Sequence, residues 1–69
     1  MSQVGRSKIS HKVRELRVKA KLSREELSLR LNLDNSYISK LERERINISI
    51  DKLEEIANFF GVELKEFFE

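Results

Sequence analysis

Asn35, Ser36, Ser39 and Lys40 stand at positions i, i+1, i+4 and i+5, a spacing that gathers all four on one face of a helix. Each of these side chains can hydrogen-bond the edge of a nucleic-acid base. A lysine donates to guanine O6 and N7, an asparagine pairs bidentately with adenine, and each good contact is worth about 1–3 kcal/mol of discrimination. The inner face of the same segment, Leu33 to Glu42, carries Leu33, Ile38 and Leu41. A short helix that is apolar on one side and small, polar and cationic on the other suits a DNA groove. Taken alone, the pattern also describes an ordinary amphipathic surface helix, in which Asn35 and Ser36 serve only as caps.

Charge is distributed to match. Residues 1–45 hold twelve of the fourteen Lys and Arg against six acids, a balance of +6, whereas residues 46–69 hold two Lys against six acids, a balance of −4. A basic portion beside an acidic one fits a phosphate-binding module with a separate protein-binding end. A chain of 69 residues is one domain that buries only about 60% of its unfolded surface, so dimerisation would help it. With no cysteine there is neither a disulfide framework nor a thiolate metal site. No apolar run has the length of a membrane span or a signal peptide, and the protein is expected to be soluble and cytoplasmic.

The elements that must position the polar face are all helical, because proline is absent and Gly61 is the only glycine after Gly5. Residues 1–8 read as a loose polar arm whose Arg6 and Lys8 either touch a polyanion or are simply solvated. Ile9, Val13, Leu16 and Ala20 then recur at helical spacing and set the first helix at about Ile9 to Ala20. Ser23-Arg24-Glu25-Glu26 is a capping box that opens a second helix ending near Leu31, with Leu27 and Leu31 inward. Asn32 is suited to a left-handed turn. Asp34 is the expected N-cap of the third helix, which runs to Glu42 or Arg43. Ser49 caps a fourth helix with Ile50, Leu53, Ile56, Ala57 and Phe60 inward and Gly61 as its stop. A short fifth helix, Glu63 to Phe68, completes an all-α, five-helix chain.

The second and third helices leave room for a connection of only three or four residues. That is the spacing of a helix-turn-helix, in which the first helix crosses the phosphate backbone and the second enters the major groove, and equally of a generic αα-hairpin. Here the sequence resembles a family. Ser23-Arg24-Glu25-Glu26-Leu27, Tyr37-Ile38-Ser39-Lys40-Leu41-Glu42-Arg43, Asn47-Ile48-Ser49 and Ile56-Ala57 through Gly61-Val62 look like the phage repressor and Cro type (Xre-like) of helix-turn-helix proteins. The similarity covers about residues 9–68 and implies a lambda-repressor-like DNA-binding domain, with the helix-turn-helix at about 23–43 and a dimerisation region at about 46–69. Within the family, Leu33 to Ser39 with Glu42-Arg43 and Asn47-Ile48-Ser49 is most similar to the small controller proteins of restriction-modification systems.

Asn35, Ser36 and Lys40 match the positions with which the family reads bases, and Ser39 lies among them. Arg24, Arg43 and Arg45 suit phosphates, with Asn47 either adding a backbone contact or shaping its loop. Tyr37 combines packing with a hydroxyl at a phosphate. The sequence also departs from the family, which usually has Gln, Ala and Gly where this chain has Arg24, Ser28 and Asn32. Arg24 strengthens a phosphate contact and removes an amide that often supports a base-reading partner. Ser28 is small enough for close helix approach. Glu44 and Ile48 replace a frequent Gly and Pro.

Glu42, following Leu41 and four after Ile38, is drawn toward the core side of its helix, where a lone carboxylate is costly. Arg17 lies four after Val13 on the apolar side of the first helix, and the resemblance places it opposite Glu42, which implies a structural Arg17–Glu42 ion pair. Catalysis finds no support. His11 has no second ligand at metal spacing, and Glu25–Glu26 and Glu54–Glu55 are sequence neighbours that point apart on a helix. No nucleophile–base pair, phosphate-cradling glycine loop or metal cluster is present, so no enzyme activity, cofactor or metal is expected.

Phe59 lies off the inward stripe of the fourth helix, and Ile46, Ile48 and one of Phe67 or Phe68, Phe68 in this reading, are also hard to bury. An apolar remainder at the acidic end suggests a protein interface, and the resemblance implies a two-fold homodimer through it. The expectation is therefore a transcriptional regulator that binds a palindromic operator in double-stranded DNA as a homodimer. In a chain this short it would be governed by concentration and operator arrangement rather than by an effector domain. Repression by blocking RNA polymerase and activation by holding it are equally open. The rival is an antitoxin or adaptor whose phenylalanine-rich end binds a protein and whose DNA binding is secondary.

Overall fold

The computed structural model describes residues 3–69, and four α-helices with one closing 3-10 segment account for most of them. The helices are α1 (Gln3–Lys19), α2 (Arg24–Arg30), α3 (Tyr37–Glu42) and α4 (Ile50–Phe60), and the 3-10 segment spans Leu64–Phe68. The fifth helix expected from the sequence is this 3-10 segment. Glu66 caps it, its Oε2 accepting from the Glu63 N–H at 3.0 Å, while the Glu66 N–H donates to the Glu63 carbonyl at 3.0 Å. At five residues it is slightly longer than the three or four over which 3-10 geometry usually persists.

α1 begins earlier than apolar periodicity indicates. Residues 3–8, expected as part of a loose arm, are helical, and Met1 and Ser2 lie outside the described residues. Once the turn at Ile9 and Val13 is pinned in the core, each further residue adds a backbone hydrogen bond without a new nucleation cost, so a polar stretch can extend the helix. Lys8 Nζ also donates to the Phe68 carbonyl at 3.4 Å, tying this extension to the far end of the chain. At the other end, Ala20 is exposed beyond the last helical residue instead of facing inward.

All four α-helices stop in the same way. Lys21, Asn32, Glu44 and Gly61 have φ of 61°, 58°, 59° and 69°. In each case the left-handed residue donates its N–H to the carbonyl three back, and the next residue donates to the carbonyl five back, with distances of 2.9–3.2 Å. This double bond pattern satisfies carbonyls that the helix end leaves open. Leu22 and Val62, directly after Lys21 and Gly61, pack against the core. Asn32 and Gly61 are residues suited to the conformation; Lys21 and Glu44 adopt it with a Cβ in an unfavourable place.

Ile9 and Val13 of α1, Leu27 of α2, Ile38 and Leu41 of α3, Leu53 and Ile56 of α4, and Phe67 form one core with almost no exposure. α1 packs on α3 and on the closing segment, and α2 packs on α3. Ser49 caps α4 by accepting from the Lys52 N–H at 3.1 Å. Ile50, expected inward, is 49% exposed because the apolar stripe of α4 extends one turn past the edge of the core.

Candidate nucleic-acid interface

α2 enters through its capping box: Ser23 Oγ accepts from the Glu26 N–H at 2.9 Å, and the Ser23 N–H donates to Glu26 Oε1 at 2.9 Å. The Ser23 N–H, and after it the Ser23 hydroxyl, favour the ionised carboxylate and hold the Glu26 pKa below its ordinary value. The connection to α3 covers residues 31–36, longer than three or four, because the residues before Tyr37 form a turn of their own. Asp34 organises that turn and is not the helix N-cap itself. Its Oδ2 accepts from the Ser36 hydroxyl and from the Ser36 N–H at 3.1 Å, and its carbonyl accepts from the Tyr37 N–H at 2.9 Å. The N-cap residue of α3 is Ser36, whose side chain makes no cap bond.

This geometry divides the four base-reading candidates. Ser39 and Lys40 lie on α3, half-buried and exposed respectively, whereas Asn35 and Ser36 sit on the turn before it. Because the Ser36 hydroxyl hydrogen is committed to Asp34, that oxygen presents lone pairs, suited to an amino group on a base edge. The Ser36 hydroxyl, then its N–H, and more weakly the Lys40 charge hold the Asp34 carboxyl below its ordinary pKa.

Behind the polar face, two buried contacts fix α3. Ser28, fully buried on α2, donates through Oγ to the Arg24 carbonyl at 3.0 Å and accepts from the Ile38 N–H at 3.1 Å. The Ile38 N–H lies in the first turn of α3 and has no partner within the helix, so this hydroxyl bonds α2 directly to α3. Sequence reasoning saw only the small size of Ser28. The available signal was a hydroxyl in mid-helix, able to bond back to residue i−4 and outward.

The second contact is the ion pair. Arg17 Nε donates to Glu42 Oε2 at 2.7 Å and Nη2 to Oε1 at 3.3 Å, while Nη1 donates to the Leu22 carbonyl at 2.7 Å. The two side chains are only 10% and 4% exposed. Arg24 completes a triad, its Nε donating to Glu42 Oε1 at 3.1 Å. Arg24 was expected only as a phosphate clamp; its Nε is engaged by a protein carboxylate, and its side chain remains 46% exposed.

Arg43, Arg45 and Asn47 are exposed in and after the left-handed turn at Glu44. Tyr37 is half-buried against the core, and that burial raises its hydroxyl pKa, with Lys52 and Glu55 of α4 the charges that act on it. Ile48, expected at a dimer interface, is 7% exposed within the chain's own core, because the loop before α4 folds inward there. Ile46 is partly buried against the same core. Phe67 is buried, while Phe59 and Phe68 are 38% and 41% exposed. Phe59 stacks edge-on against Phe60, with ring centroids 5.0 Å apart. Among the described residues no group of His, Cys, Asp or Glu is placed to hold a metal ion, and no helix is long and apolar enough to cross a membrane.

A capped α2 bonded through its interior to an α3 with a polar outer face defines a DNA-binding helix-turn-helix protein. The chain belongs to the Helix-turn-helix family of Cro/C1-type transcription regulators, which it matches over residues 13–67. It is 39% identical over 56 residues to control protein C.BamHI of Bacillus amyloliquefaciens, a match covering 80% of this chain and 69% of that one. It is 34% identical over 62 residues to control protein C.MunI of a Mycoplasma species, covering 88% and 84%. The crystal structure of the hypothetical transcription factor NHTF from Neisseria superposes with a TM-score of 0.87 at 33% identity, over 93% of this chain and 74% of that one.

Proposed function

We propose that the chain acts as a controller-type regulator of a restriction-modification system, binding a palindromic operator in double-stranded DNA as a homodimer. The observation that carries this reading is the division of α3 between a polar face and an inner face anchored by Ile38, Leu41 and the Glu42 triad. Asn35, Ser36, Ser39 and Lys40 read base edges. Arg24, Arg43, Arg45 and Asn47 hold phosphates, joined by the Tyr37 hydroxyl where it reaches one. The likeness to two control proteins supports the restriction-modification assignment.

Phe59 and Phe68, with Ile50, are large apolar side chains exposed at the acidic end, and a second copy would cover them. A two-fold dimer would present two copies of α3 to half-sites about one helical turn apart. RNA polymerase is the further partner, met at or beside the operator. Selection of bound sequences from random duplex DNA at two salt concentrations tests the reading. A palindromic consensus supports it, and no enrichment at either concentration rejects it. Sedimentation that is independent of concentration, with or without DNA, would reject the dimer.

The exposure of Phe59 and Phe68 also favours a second reading, an antitoxin or adaptor that binds a different protein there. Binding to such a protein that survives Lys40→Ala with Arg43→Ala, while DNA binding is abolished and has no regulatory effect, would select it.

A further inference from the structure

We infer that Glu42 is a positioning residue for DNA binding: it grips the Arg24 guanidinium by one edge and presents the other edge to a backbone phosphate. The inference rests on the DNA-binding reading and assigns to its ion pair a role beyond stability. Arg24 opens α2, the helix that crosses the phosphate backbone in this architecture. Glu42 closes α3, directly before Arg43. The carboxylate is a fixed point, since Arg17 binds both of its oxygens at 2.7 and 3.3 Å and is itself anchored on the Leu22 carbonyl.

One carboxylate facing two guanidiniums leaves the triad with one positive charge in excess, and that excess lies on the exposed member, Arg24. A guanidinium is a planar fork with donors on more than one edge. Arg24 uses only Nε toward Glu42 at 3.1 Å, and among the described residues Nη1 and Nη2 have no hydrogen-bond partner. A fork held by Nε retains a second edge for bidentate contact with phosphate oxygens, and holding it beforehand reduces the side-chain entropy cost of binding. Lysine at this position has one ammonium, a point charge that Glu42 would hold back from the phosphate.

The test measures affinity for the selected duplex, and its salt dependence, for the wild type, Arg24→Ala, Arg24→Lys, Glu42→Gln and the Arg24→Ala/Glu42→Gln double variant, with folding checked by circular dichroism. Arg24→Ala is expected to lower affinity at least about tenfold and to reduce the slope of log affinity against log salt by about 0.9 for each phosphate no longer neutralised. Arg24→Lys is expected to fall close to Arg24→Ala although it keeps the charge. Glu42→Gln is expected to weaken binding when Arg24 is present and to have little further effect when it is absent. Wild-type affinity in Arg24→Ala or Arg24→Lys, or an equal loss from Glu42→Gln in both backgrounds, overturns the inference and leaves the DNA-binding reading intact. If Glu42→Gln does not fold, the Arg24→Lys comparison decides. Failure of the wild type to select any sequence overturns the DNA-binding reading itself.

Discussion

The Ser28 hydroxyl accepts the backbone N–H of Ile38 at 3.1 Å, so that a side chain from the interior of α2 completes the first turn of α3. Both residues are fully buried, and water cannot substitute. Ser28→Ala keeps the space for helix approach but strands a buried donor, and is expected to destabilise by about 1–3 kcal/mol, partly offset by alanine's better helix propensity. Urea denaturation checks this, and unchanged or increased stability would show that the hydroxyl contributes nothing net.

Glu42→Ala leaves the buried Arg17 guanidinium without its charge partner and is expected to cost about 3–5 kcal/mol. Replacing both buried ends with apolar groups of similar size, Arg17→Met with Glu42→Leu, is expected to cost less than either single truncation, because the one charge left without its partner, Arg24, is solvent-exposed. Thermal or urea unfolding of Glu42→Ala, Arg17→Ala and the double variant gives the ordering directly. A double variant less stable than both singles would refute it.

Two helix ends carry an avoidable strain. Lys21 and Glu44 hold φ of 61° and 59°, and replacing either by glycine removes a Cβ clash worth about 1–2 kcal/mol. Part of that gain is offset by the greater freedom of glycine in the unfolded chain. Each substitution is expected to raise stability by about 0.5–1 kcal/mol, whereas Gly61→Ala is expected to lower it by about 1 kcal/mol. Nothing lies within 4 Å of a Cβ built on Gly61, so the effect there is purely conformational. Urea midpoints of the three variants check both signs.

Acid should loosen the entry to both helices of the motif. Glu26 and Asp34 have folded pKa values below their ordinary 4.5 and 3.8. A depressed carboxylate pKa stabilises the fold above the unfolded-state value, and the contribution disappears as pH falls through the folded-state value. Stability attributable to the two carboxylates is therefore constant above about pH 5 and declines below about pH 4. Glu26→Gln with Asp34→Asn should flatten that part of the profile. An unchanged acid limb in urea titrations would contradict the assignment.

Much of this architecture was legible in the sequence because its signals are local. The Ser23 box, the Ser49 cap and the turns at Asn32 and Gly61 depend on residue types that favour those conformations within a few positions. The inward residues of α3 followed from spacing. The left-handed turns at Lys21 and Glu44 could not be read in this way, since the packing of the neighbouring helices imposes a conformation those residues disfavour. Nor could the helix over residues 3–8, which has no apolar period of its own and is carried by the turn that follows it. The pairing of Arg24 with Glu42 and the bond from Ile38 to Ser28 join residues 18 and 10 positions apart, and only the approach of α2 to α3 brings them together. Ile48, an apolar residue left off the inward stripe of the fourth helix, is buried only through the tertiary fold.

The most direct test of a base-reading α3 is the affinity of the wild type and Lys40→Ala for the selected duplex and for random duplex at the same salt concentration. If Lys40 reads a base, the variant loses about 1–3 kcal/mol, roughly 5- to 150-fold, on the selected duplex. On random DNA it loses only what one fewer cation costs. Equal losses on both duplexes would make Lys40 a phosphate contact and would contradict the assignment of the α3 polar face to sequence recognition.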